Sequence, residues 1–355
     1  MRPRVSSRLS RSRVASLLVA VSAGMALTAC GGGSGAVEVS VSDPDAGAGT
    51  GVATAAERTV VGADEVAQQV PGEPRQVVTL SEPTLDAAIA LGVTPVGTVA
   101  ARGQSGVAAY LAGEAAEVPI VGAVAQPNLE QIALIAPDLI LVDGTSVNNA
   151  PGMMEALRGI APTVMTGYAG GDWRANLALT AEALGREDEE QQVLDAYQDR
   201  VDDIRSRLGD QQDAQISVVR AQSGGFSLIL KELLAGQVLT DLGLPRPPDQ
   251  DREGRGHSEP ISEEQLSMID GDWIFMGTLG GSSVGNPNGG GASDQGAAQR
   301  EIDEAAASIP GFTSLRAYQE GHIVPVDGSA WTSTGGPLLL NTILDDIDAA
   351  LTQPS

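Results

Sequence analysis

Residues 74–99 read PRQVVTLSEPTLDAAIALGVTPVGTV. QVVTL is a short β-branched run, the segment from Glu82 to Leu91 has helical character, Gly92 stops it, and TPVGTVA resumes as an apolar strand. Strand, helix and strand in so short a span are the unit of an α/β sheet. Working outward, VPIVGAV (118–124) is a strand, and Asn128-Leu129-Glu130 opens a helix with Leu129, Ile132, Ala133 and Ile135 at its apolar positions. Pro137 ends that helix, and LILVDG (139–144) follows as a buried strand.

A second series begins further along, with strands QISVVRA (215–221) and FSLIL (226–230), a helix over 233–242 stopped by Gly243, a helix near 263–269, and strands DWIFMG and HIVPVDG. Between the two series, residues 173–208 carry the longest helical signal, with Leu177, Ala181 and Leu184 before Gly185 and Val193, Tyr197, Val201, Ile204 and Leu208 after it. The expectation is two α/β lobes, 58–172 and 209–355, joined by the helical segment 173–208. Residues 277–300, GTLGGSSVGNPNGGGASDQGAAQR, are one-third glycine without apolar period and read as a mobile insertion in the second lobe.

The N-terminal end is read from its charges. Arg2, Arg4, Arg8, Arg11 and Arg13 precede an apolar run from Val14 to Leu27, too short to cross a bilayer as a helix. The closing Leu27-Thr28-Ala29-Cys30 resembles the lipobox of bacterial lipoproteins, which implies that 1–29 is a cleaved signal and that Cys30, the only cysteine, carries lipid. Residues 30–57 then form a flexible tether, reaching ~30 Å on average for a coil of its length. Export to the outer face of the cell membrane is expected.

Loss of the five leader arginines leaves 16 basic residues against 46 acids, which argues against nucleic acid as a partner. With Cys30 lipidated there is no disulfide and no thiolate metal site. Two histidines 65 residues apart do not make a transition-metal site by themselves, so no metal or cofactor is expected. The G-x-S-x-G match at Gly281–Gly285 lies in a glycine-rich stretch, not between a strand and a helix, so a hydrolase acting through Ser283 is the least supported reading.

Five blocks carry a family resemblance: 74–99, then VGAVAQPNLEQIALIAPDLILVDG (121–144), VLTDLGLPRP (238–247), ISEEQLSMIDGDWIFMG (261–277) and LRAYQEGHIVPVDGSAWTSTGGPLLLNTILDDI (315–347). In this order they resemble the substrate-binding lipoproteins of ABC importers for ferric siderophores and cobalamin, the class III periplasmic binding proteins. The resemblance implies two Rossmann-like lobes bridged by one long rigid helix, little closure between them, and a ligand in the interlobe cleft. It implies a monomer whose partners are an iron chelate and a permease with a cytosolic ATPase. The family pattern has no counterpart of the glycine-rich insertion. Cobalamin or haem as ligand, and an adaptor that has lost its ligand, remain as alternatives.

Bulky anionic chelates call for arginine forks and flat apolar faces. Arg102 follows a strand at its C-terminal end, where α/β proteins meet ligands. Arg220 ends ISVV and resembles the family's cleft arginine. Tyr168, Trp173 and Arg174 flank the glycines of GYAGGDWR, where a ring could stack on ligand or pack as core. The resemblance also puts Trp331 near the cleft, whereas Trp273, within a strand, reads as core. It further implies that Glu130 and Glu264 pair with permease arginines; each is also an acid in a helix's first turn, favourable for the dipole.

Overall fold

The computed structural model describes residues 57–352, apart from 148–149, 151, 223–224, 255–257 and 280–291. Cys30, the leader, all of the tether except Glu57, Ser283 and His257 lie outside the described residues. Among the described residues no helix is long and apolar enough to cross a membrane.

The chain enters through an antiparallel hairpin, β1 (Glu57–Val61) and β2 (Ala67–Pro71), that sequence reading did not anticipate. Only Val60 and Val70 of its two strands are fully buried, so its apolar alternation is faint, and β1 includes Glu57, which sequence reading assigns to the tether. Arg58 fastens the hairpin by donating to the Gly72 and Glu182 carbonyls at 2.9 and 3.0 Å and pairing with Glu187 at 2.9 Å.

In the first lobe β3 (Val77–Thr79) leads into the helix Glu82–Ala90, whose first turn holds Pro83 and whose N-cap is the Ser81 side chain. There follow β4 (Thr98–Ala100), β5 (Ile120–Ala123), β6 (Gln126–Pro127), the helix Leu129–Ile135, β7 (Leu139–Val142) and β8 (Thr163–Met165). They form two three-stranded sheets, β3-β7-β8 and β4-β5-β6, joined by the parallel bridge between Val78 and Gly97. All strands but β6 run parallel, so their C-terminal ends share one edge.

The helical segment is two helices, Trp173–Leu184 and Glu187–Arg207, where the family resemblance implied one. Gly185 breaks the segment at φ +68, and Arg58 and the Gly72 carbonyl leave no room there for a side-chain carbon. The second helix opens on four acids, Glu187 to Glu190, and closes on Arg205 and Arg207, a charge order that its dipole favours.

The second lobe contains β9 (Ile216–Gln222), β10 (Gly225–Ile229), the helix Leu234–Leu242, β11 (Ser258–Ile261), a 3-10 helix Glu263–Ile269, β12 (Trp273–Thr278) and β13 (Ile323–Val326). One sheet runs β11-β10-β9-β12-β13, with β9, β12 and β13 parallel. Both ends of the glycine-rich stretch are regular, which corrects the expected 277–300 insertion. β12 runs to Thr278, and a helix Gln295–Ser308 starts under an Asp294 N-cap. The largest core is shared by both lobes and the central helices, so Val77, Leu177, Val201, Val218 and Ile343 belong to one buried cluster.

Candidate functional site

Arg102, Tyr168 and Arg220 lie at or near the C-terminal ends of strands, and the segment Gly328–Gly336 lies where the two lobes meet. Its first turn, the short helix Gly328–Trp331, is capped by Asp327, whose side chain accepts the Ser329 N–H at 2.8 Å. Its last residues touch the first lobe. Gly335 packs against the Tyr110 hydroxyl without space for a Cβ, and a Cβ on Gly336 would stand 2.8 Å from Asp86 Oδ1. Asp86 accepts the Leu338 and Leu339 N–H groups at 2.9 and 3.0 Å and the Tyr110 O–H at 3.0 Å. Burial, partly offset by these donors, raises its carboxyl to about 6.

On the second lobe, Arg220 reaches the same segment. Its neighbours Val219 and Ala221 face one core of the sheet and Val218 faces the other, so alternation puts Arg220 on the Val218 side, near the strand's end. Its guanidinium donates to the Thr332 carbonyl, and its Nε is buried without a partner. Among the described residues no carboxylate pairs with it, and desolvation lowers it from the ordinary arginine value.

Arg102, at the end of β4, is the corresponding cation of the first lobe, but it is neutralised. Its guanidinium meets the buried Glu82 carboxylate at 2.6 Å and its backbone N–H donates to the other oxygen at 2.7 Å. A long contact of 3.4 Å joins it to Ser146, whose hydroxyl donates to Asp143 at 2.5 Å. Tyr168 stands beyond β8 with its ring against Gly144 and about half exposed.

Three expected ligand contacts are structural instead. Trp173 is 3% exposed and meets Tyr197 edge-on at 5.1 Å. Arg174 lies over the Trp173 ring at 4.4 Å and pairs with Asp241 at 3.1 Å, while the Tyr197 hydroxyl donates to that same carboxylate at 2.8 Å. Trp331 is fully buried, stacked on Phe275 at 4.4 Å with its Nε1–H donated to Asp346 at 2.8 Å. For the two tryptophans, a large ring beside glycines serves a ligand or a core equally well until its neighbours are known.

Glu130 and Glu264 are both exposed and hold equivalent places. Each is two residues past a side-chain N-cap, Asn128 or Ser262, in the segment between an antiparallel strand and the next parallel one. Sequence reading missed Glu82, Asp86 and Tyr110. The available signal was two acids four residues apart in an otherwise apolar helix, a spacing that puts both on one face. Surface concavities of about 470 Å³ beside Leu91 and Arg186 and about 610 Å³ around Arg252 and Pro260 lie away from these strand ends.

Comparison with known proteins agrees with this architecture. The family described as periplasmic binding protein matches residues 77–330. A probable siderophore-binding lipoprotein of Bacillus subtilis, YfiY, is 30% identical over 301 residues, covering 83% of this chain and 88% of the relative. The Fe(3+)-citrate-binding protein YfmC of the same organism is 26% identical, over 81% and 84% of the two chains. Among solved structures, Staphylococcus aureus SirA complexed with staphyloferrin B superposes with a TM-score of 0.67 at 26% identity, covering 83% of this chain and 98% of that one.

Proposed function

The chain belongs to the periplasmic binding protein family, and we propose that it captures a ferric siderophore between its two lobes and delivers it to the permease of an ABC importer. The similarity to siderophore-binding and ferric-citrate-binding relatives over most of the chain supports this ligand class. The observation that carries the site is Arg220, a half-buried guanidinium at the lobe junction with no carboxylate partner among the described residues. Holding such a charge out of water is unfavourable unless an anion completes it.

Arg102 and Tyr168 line the opposite wall in this reading, while Glu130 and Glu264, one per lobe, engage permease arginines. Cys30 is the lipidated N-terminus of the exported monomer. A tether of ~30 Å holds the trap near the permease and raises its effective concentration there. No bond is made or broken by the chain; the energy for import comes from the ATPase.

Calorimetric titration of the mature protein with ferric chelates, paired with radioactive-iron uptake by cells lacking the gene, tests the proposal. Saturable binding of a ferric chelate together with an uptake defect for that chelate is expected. A folded protein that binds no ferric chelate would remove it.

A further inference from the structure

We propose that the ligand is an aliphatic ferric chelate of low net charge with a free carboxylate, taken by Arg220, and not a tris-catecholate or a haem. This rests on the siderophore-capture reading and narrows it. The argument is an accounting of every ring and every cation that the chain can bring to the strand ends.

The sequence contains ten aromatic residues, all among the described ones. Phe226 and Phe312 stack on each other in the second lobe's core, as do Phe275 and Trp331. Trp173 and Tyr197 form the buried edge-on pair. Trp273 opens β12 and stacks on His322 at 4.0 Å, and Tyr318 lies in the helix Arg316–Glu320 leading into β13. Both are therefore at the opposite, N-terminal edge of the sheet. Tyr110 is committed by its hydroxyl to Asp86. Tyr168 alone presents an exposed ring at the strand ends. A tris-catecholate or a porphyrin exposes several flat aromatic faces, and one tyrosine cannot sandwich them.

The cations are as few. Arg102 at the strand ends is balanced by Glu82, leaving that pair with no net charge. Arg220 is the cation there with no acid paired to it among the described residues. Arg300 sits exposed in the second turn of the helix Gln295–Ser308, its guanidinium turned back toward Gly296 in the first turn. Asp327, part-buried at the end of β13, adds negative charge to the same region. Residues 148–149, 151, 223–224 and 280–291 contain no Lys, Arg or aromatic residue, so by composition they change neither count. Arg255 and His257 lie outside the described residues. A ligand with three uncompensated negative charges would meet, among the described residues at the strand ends, one guanidinium without an acid partner, in a protein of formal net charge −25. One planar fork suits one carboxylate.

The test uses the mature protein in calorimetric titrations with four probes: a linear aliphatic ferric trihydroxamate ending in one free carboxylate, the same trihydroxamate without the carboxylate, a ferric tris-catecholate and haemin. The carboxylate-bearing trihydroxamate is expected to bind at least about 100-fold more tightly than the catecholate or haemin. Arg220→Gln is expected to weaken the carboxylate-bearing trihydroxamate about 30-fold and its carboxylate-free counterpart less than about 3-fold. Where Arg220→Gln fails to fold by thermal melt, Arg220→Lys keeps the charge, loses the fork, and is expected to cost about 10-fold. Tighter binding of the catecholate or haemin, or binding of the carboxylate-bearing trihydroxamate insensitive to both variants, overturns the ligand class. Binding of a catecholate leaves siderophore capture standing, whereas a folded protein that binds none of the four removes both readings.

Discussion

The Asp86 carboxylate, on the first lobe's opening helix, accepts the backbone N–H of Leu339 at 3.0 Å across 253 residues of chain. The donor belongs to the start of the helix Pro337–Leu351, where N–H groups lack intrahelical partners. Asp86 thus caps a helix that packs with the second lobe, and the two lobes are tied by a buried carboxylate as well as by shared core.

This tie makes stability depend on pH. Burial raises the Asp86 carboxyl from an ordinary 3.8 to about 6, so the folded chain holds this proton more tightly than the unfolded one. The contribution is greatest below about 4 and is lost as pH rises through about 6, by roughly 3 kcal/mol at most. Asp346, also raised to about 6 by desolvation, acts in the same window, so a variant is needed to separate them. Urea unfolding at pH 4.5 and 7.5 should show a smaller gain on acidification for Asp86→Asn than for wild type. Equal gains would mean that Asp86 does not titrate here.

Gly336→Ala forces a carbon to within 2.8 Å of Asp86 Oδ1 and should destabilise by roughly 1–3 kcal/mol. Gly106→Ala, with open space around the new carbon, should stay within about 0.5 kcal/mol of wild type. Denaturant midpoints of the two variants give the comparison. If Gly336→Ala is as benign as Gly106→Ala, the lobes are not packed closely at this seam.

Trp331→Phe keeps a ring against Phe275 but leaves the Asp346 carboxylate without its 2.8 Å donor. A loss of roughly 1–3 kcal/mol in stability is expected, with chelate affinity unchanged within about 3-fold. A large affinity loss at unchanged stability would return Trp331 to the ligand site.

Charge reversal at both Glu130 and Glu264 tests the permease contact. Both side chains are exposed, so folding and chelate affinity should be unaffected, while radioactive-iron uptake should fall about tenfold or more from the loss of charge complementarity. Uptake equal to wild type by the double variant would assign both acids to their helix dipoles alone.

Much of the fold was legible because its signals are local. Val77-Val78-Thr79, Gly92 and Leu139-Ile140-Leu141-Val142 announce strand and stop from their own side chains, and each strand they mark is buried. The β1–β2 hairpin was not legible because only one residue in each strand is fully buried, Val60 and Val70. Within the site, the residue classes were legible and their roles were not. Arg102 and Arg220 look alike in sequence, each an arginine at or near a strand's end, yet Glu82 takes the first and, among the described residues, no carboxylate takes the second.

By itself, the sequence determined the two strand-helix series, the helix break at Gly185 and the scarcity of rings and cations. Each of these depends on composition or on neighbours within a few residues. Tertiary structure alone decided which of those scarce groups are packed or paired and which are not. Trp173 and Trp331 became core once Tyr197 and Phe275 packed against them, Arg174 was claimed by Asp241, and Arg220 was left without a carboxylate among the described residues. Those outcomes depend on partners distant in the chain, and burial and ion pairing are properties of the packed neighbourhood and not of the residue.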